Sequence, residues 1–147
     1  MEDQEQNKEQ NQEQDKEQNK DKEQDGNPIV DKSFQFAVKA IKLSRWLKER
    51  FKDYELISQM LRSATSIGAN VAEAQSAQSR PDFISKMHIA LKETYETIYW
   101  LKLFEAVGML SKNNAKQLLD DAQELKKMLS SIVKTSKEAQ KRINEKN

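Results

Sequence analysis

Apolar residues recur at steps of three and four along most of the chain, in four runs separated by short polar breaks. That spacing places them on one face of a helix. The first run carries the rows Phe34, Ala37, Val38, Ile41 and Phe36, Ala40, Leu43, Leu47, and predicts a helix over residues 32–51 with Asp31 or Ser33 as its cap. Trp46 falls off both rows and reads as a partly buried bundle tryptophan, with an interface anchor as the alternative. The second run, Ile57, Leu61, Ala64, Gly68 and Val71 with Met60, Ile67 and Ala74 beside it, predicts a helix over 54–78 capped by Asp53. Ser79, Pro81 and Asp82 form a start signal for a third helix over 81–107, and Gly108 is its stop. This helix has two apolar rows: Phe83, Met87, Ala90, Leu101 and Phe104, with Thr94 and Thr97 between, and Ile84, Leu91, Tyr95 and Ile98, with His88 among them. Ser111 caps a fourth helix over 112–138, built on Ala115, Leu118 or Leu119, Ala122, Leu125, Met128 or Leu129, Ile132 and Val133. Beyond it the polar end should fray or project. No stretch alternates with the two-residue period of a strand. The fold class is all-α, an up-down-up-down four-helix bundle, because short breaks make sequence neighbours antiparallel.

Within the second helix, residues 62–78 (RSATSIGANVAEAQSAQ) are mostly small. Small side chains let helix backbones approach closely. Gly68 costs about 1 kcal/mol against alanine in a helix interior, and a close backbone contact is the usual compensation.

Composition divides the chain in two. Residues 1–26 are almost wholly Glu, Gln, Asn, Asp and Lys, and they contain no apolar residue after Met1. Such a segment cannot offset the entropy of folding, so residues 1–27 are expected to form a disordered tail ahead of the bundle at 28–147. The tail holds ten acids against four lysines, a net of −6. The remainder holds fourteen acids against twenty-one Lys and Arg, a net of +7, so a total of +1 conceals a basic body. A basic body is an argument about polyanion partners. The absence of cysteine excludes disulfides and thiol chemistry. No apolar run approaches the roughly 20 residues of a membrane span, and no signal-peptide core precedes the bundle. A cytoplasmic protein with no membrane association is expected.

Three kinds of chemistry compete with packing as the role of the polar residues. Glu73, Glu93 and Glu96 are a candidate carboxylate metal set, but helical di-iron sites draw on Glu-x-x-His pairs and this chain has none. Ion pairing with Arg62 or lysines, or hydrogen bonding to Asn70, within or between subunits, is the simpler role, and His88 reads as a helix-packing histidine. The hydroxyls between Ser63 and Ser79 lie mid-helix without a base or a nucleophile turn, so they read as packing residues. Gly26, Gly68 and Gly108 are too far apart for a phosphate loop. No catalytic, metal-binding or cofactor-binding residue is expected, and the chain reads as non-enzymatic. The third candidate is a nucleic-acid surface. The first helix supplies Lys39, Lys42 and Arg45. The fourth supplies Lys126, Lys127, Lys134, Lys137 and Lys141, with Lys126, Lys134, Lys137 and Lys141 at helical spacing. Such a stripe binds phosphates without reading sequence.

Residues 62–78, with DFISKMHIALKE at 82–93 and ETIYWL at 96–101, closely resemble the bacterial four helix bundle protein family. That family was first noticed in open reading frames within 23S rRNA intervening sequences. It also includes the accessory variability determinant of diversity-generating retroelements. The resemblance covers about residues 30–135, with Ala64 standing where relatives often have glycine, and it leaves out the acidic tail. It implies a homopentameric, barrel-like assembly of four-helix protomers. For the retroelement branch it implies nucleic-acid binding and a reverse transcriptase partner. Arg62, Ser66, Asn70, Glu73, Glu93 and Glu96 match the family's motif positions, and the resemblance implies structural and assembly roles for them. The leading expectation is a homo-oligomer that binds RNA or DNA through basic helix surfaces with low sequence specificity. The alternative is a protein–protein adaptor, for example to a reverse transcriptase.

Overall fold

The computed structural model describes residues 26–147, which form four helices: α1 (Pro28–Arg50), α2 (Tyr54–Ala74), α3 (Arg80–Ala106) and α4 (Lys112–Lys146). The acidic tail lies outside the described residues, apart from Gly26 and Asn27. Each helix packs on its sequence neighbour, and α1 and α4 meet more sparsely to close the square.

The helix ends show where local signals decide the chain and where they do not. α1 starts four residues earlier than its pattern predicts. Pro28 opens it, since a first-turn residue has no intrahelical use for an N–H. Asn27 takes the cap position without a side-chain cap bond, and donates instead through Nδ2 to Gln75 Oε1 at 3.2 Å. Asp31 and Ser33 are therefore inside the helix. Ser33 is buried, and its hydroxyl donates to the Val30 carbonyl. Asp53 stands at the α2 cap position, also without a side-chain cap bond. α2 ends at Ala74 instead of Gln78. Gln75, Ser76 and Ala77 donate to Ala72, Glu73 and Ala74 in tightened i to i−3 bonds. The other signals work as read. Ser79 Oγ accepts from Asp82 N at 3.2 Å, and Asp82 Oδ2 accepts from Gln78 N. Gly108 has φ +80°, with Met109 N donating to Phe104 O and Gly108 N to Glu105 O, the paired bonds of a glycine-ended helix. Ser111 Oγ accepts from Asn114 N. α4 neither stops at 138 nor frays. Its 35 residues run about 52 Å, and its last turns carry strong helix formers and i,i+4 partners such as Gln140 with Asn144.

The core takes most of the predicted rows, but the α1 row Phe34, Ala37, Val38 and Ile41 lies outside it, with Phe34 and Ile41 exposed. Leu47 of α1, Ile57, Met60, Ala64, Ile67 and Val71 of α2, Met87, Ala90, Leu101 and Phe104 of α3, and Leu125 and Leu129 of α4 are all essentially inaccessible. Two α3 threonines belong to it. Thr94 and Thr97 are 0% exposed, and their hydroxyls reach the carbonyls of Ala90 and Glu93 at 2.8 Å. Thr97 Oγ1 also meets buried Ser63 Oγ of α2 at 2.9 Å. A β-carbon on Gly68 would lie 3.1 Å from the Ser33 carbonyl oxygen, so this glycine marks a close approach of α1 to α2. Trp46 is partly buried, with the Arg50 guanidinium 4.1 Å above its ring.

Candidate nucleic-acid interface

Helical geometry sorts the charges of α4 into two flanks. Asp121 and Glu124 face α1, where Lys39 Nζ meets Asp121 Oδ2 at 2.8 Å and Lys32 pairs with Glu124. These pairs close the α1–α4 seam over a shallow cleft that Gln35, Phe36 and Leu125 also line. Lys126, Lys134, Lys137 and Lys141 repeat along the opposite flank, which faces α3 and solvent. Lys126 is half-buried, with Nζ 5.6 Å from the Tyr95 ring centre, while Lys127, Lys134, Lys137 and Lys141 are exposed. Lys141 has Glu145 at 4.0 Å; no ion pair joins Lys126, Lys127, Lys134 or Lys137 to another described residue. On α1, Lys42 and Arg45 are exposed and away from the seam. Lys39 differs from them, because its charge is engaged across the seam by Asp121.

The motif residues fall into two groups. Arg62 Nη1 lies 3.3 Å from both Glu93 carboxylate oxygens, and Nη2 bonds Glu96, so one guanidinium bridges two carboxylates of α3. Further along the same interface Glu73 meets Lys86 at 3.2 Å. Asn70 Nδ2 donates to the Ser66 carbonyl within α2. The carboxylates considered as metal ligands are thus cation-paired and held at separate levels. Among the described residues, no group of three or more His, Asp or Glu side chains converges.

Two sequence readings on α3 need correction. His88 is exposed, not packed, and Tyr95 belongs to solvent, not to a core row. They share a stripe the apolar reading concealed: His88, Lys92, Tyr95, Tyr99 and Lys102 are all exposed and follow at steps of 4, 3, 4 and 3 residues. The spacing is visible in the sequence. What hid it is that tyrosine reads as apolar when only periodicity is scored. On the far side of the bundle, Val30, Phe34, Ala37, Thr65, Gly68, Ala69 and Ala72 line a nearly uncharged groove between α1 and α2. Phe34 is 63% exposed there. Among the described residues, no helix is long and apolar enough to cross a membrane.

Residues 26–131 match the family model of the 23S rRNA-intervening sequence protein. The chain belongs to that family. A crystal structure of a protein of unknown function from the S23 ribosomal protein family of Bacteroides thetaiotaomicron is 44% identical to it. The alignment covers 72% of this chain and 98% of that one, with a TM-score of 0.71. No curated protein matches. The family match includes every motif residue and Lys39, Lys42, Arg45, Lys126 and Lys127, and it ends before Lys134, Lys137 and Lys141. The outer part of the basic flank is therefore carried by the segment of α4 beyond the family match.

Proposed function

We propose that the protein is a non-enzymatic, cytoplasmic, homo-oligomeric bundle that binds RNA or DNA through the basic flank of α4, with Lys42 and Arg45 of α1 contributing. The observation that carries this reading is the charge sorting on α4. Its seam-facing acids are neutralised by α1, and on its opposite flank Lys126, Lys134 and Lys137 have no carboxylate partner among the described residues. Lysines in that arrangement neutralise phosphates and release counterions, which gives affinity with little sequence dependence. Family membership supports a link to RNA only through the family's name. The nearly uncharged Phe34 groove supports self-association, and the resemblance to pentameric bundles favours five copies. A ring would repeat the basic flank around one axis.

The test is an anisotropy titration with labelled RNA and DNA at about 50 and about 200 mM salt, beside light scattering for the assembly mass. Affinity should fall steeply with salt, since each neutralised duplex phosphate adds about 0.9 to the log–log slope. A flat response, or no binding to either polymer, refutes the reading. The Phe34 groove also suits an adaptor role, in which a partner such as a reverse transcriptase docks on protein alone. Binding of such a partner that is unchanged when Lys134 and Lys137 are reversed in charge would favour that alternative.

A further inference from the structure

The stripe on α3 has a composition that packing does not account for. Its five residues span 15 positions, about 21 Å along the helix. Tyr95 and Tyr99 sit one turn apart at its centre and are 54% and 59% exposed. Lys92 precedes the pair and Lys102 follows it, while Lys126 of α4 reaches the Tyr95 ring from the side. Tyr99 is not loose. Its ring meets Trp100 edge-on at 5.3 Å, and Trp100 leans on buried Phe104 at 6.5 Å, so an aromatic chain ties the surface ring to the core. The nearest α3 carboxylate on this side, Glu96, is drawn away by Arg62.

We propose that this α3 face is a stacking platform for unpaired nucleotides, with Tyr95 and Tyr99 taking bases and Lys92, Lys102 and Lys126 holding the phosphates on either side. The proposal rests on the nucleic-acid reading above and deepens it by naming the strand state of the ligand. Exposed rings interleaved with cations are the chemistry by which single strands are held, because every unpaired base offers a face for stacking and its backbone offers charge. A duplex offers the charge but keeps its base faces covered. A protein partner is a poorer fit, since lysine is depleted at protein interfaces. The Phe34 groove shows what an uncharged contact face looks like on this same molecule.

The test compares oligouridylate with a duplex of equal length, using the full chain, a Tyr95→Ala/Tyr99→Ala variant and a Tyr95→Phe/Tyr99→Phe variant. The alanine pair should lose about tenfold or more in single-strand affinity per ring, the scale of base–aromatic stacking. Duplex binding should stay nearly constant, and the phenylalanine pair should bind like the parent. The salt slope should be unchanged by removing the rings and reduced by about 0.7 for each of Lys92→Ala and Lys102→Ala. Equal losses on both probes, or no loss with alanine, overturn the platform. A changed assembly mass in the alanine variant overturns it in favour of a subunit contact. A parent protein that binds neither probe overturns the nucleic-acid reading itself, so the two failures are distinct.

Discussion

Alanine at position 68 would place a methyl carbon 3.1 Å from the Ser33 carbonyl oxygen, 3.3 Å from its carbon and 3.6 Å from Phe34 N. Two effects then oppose each other. Helix propensity favours alanine by about 1 kcal/mol in a helix interior. Against it, the obstructing atoms are backbone, so no side chain can swing aside; α1 itself must retreat by several tenths of an ångström. α1 is seated through Ile29, Ser33, Phe36 and Ala40, all at most 3% exposed, and a retreat loosens that whole face. Overpacking of this kind costs about 1–3 kcal/mol. The net expectation for Gly68→Ala is a destabilisation of about 1 kcal/mol, and Gly68→Val should be markedly worse. Urea unfolding followed by circular dichroism at one fixed protein concentration measures this, since self-association would otherwise shift the midpoint. The midpoint should fall while the slope stays constant. A Gly68→Ala protein more stable than the parent by about 1 kcal/mol would mean that propensity acts unopposed, and would refute the close approach of α1 to α2.

Arg62→Met leaves Glu93 and Glu96 facing each other without their shared cation. Because the arginine is about half-exposed, the expected loss is only about 1 kcal/mol, and it should shrink in high salt and in an Arg62→Met/Glu93→Gln/Glu96→Gln background. Ser79→Ala removes the acceptor for Asp82 N and should cost about 1 kcal/mol, read from the same urea curves. Lys39→Ala and Lys137→Ala should part company. The first breaks the contact with Asp121 and leaves RNA affinity nearly intact, whereas the second weakens binding and leaves the unfolding midpoint in place. Deleting residues 1–25 removes a polyanionic segment and should tighten RNA binding at low salt; unchanged affinity would show that the tail does not compete for the basic flank.

The four helices were legible because apolar spacing and end signals agree, as at Ser79, Gly108 and Ser111, whose bonds are those their residue types imply. Reading failed at Tyr95, a residue type that serves two environments. Thr94 and Thr97 occupy the core because a hydroxyl bonded to its own helix's carbonyl carries no unmet polar group inside. That leaves Tyr95, between them in sequence, turned outward, although its apolar ring fits a core row equally well on paper. The ion pair of Lys39 was illegible for another reason. Its partner Asp121 is 82 residues away, and no local pattern reveals a contact across the seam. The motif carboxylates were legible as Arg62 partners because their i,i+3 spacing puts both on one side of α3, within reach of a single guanidinium.

The unequal closure of the square bears on how the chain folds. Close packing joins chiefly helices adjacent in sequence, and the first and last helices meet more sparsely, with ion pairs across their seam. Contacts this local shorten the search, so the bundle belongs with fast-folding topologies. Each helix can dock on the one before it as the chain leaves the ribosome, without waiting for the C-terminus. The α1–α4 contact is then formed last. Pulse-labelling hydrogen exchange should show the α2–α3 amides protected before those of α1 facing the seam; simultaneous protection of all four helices would refute that order.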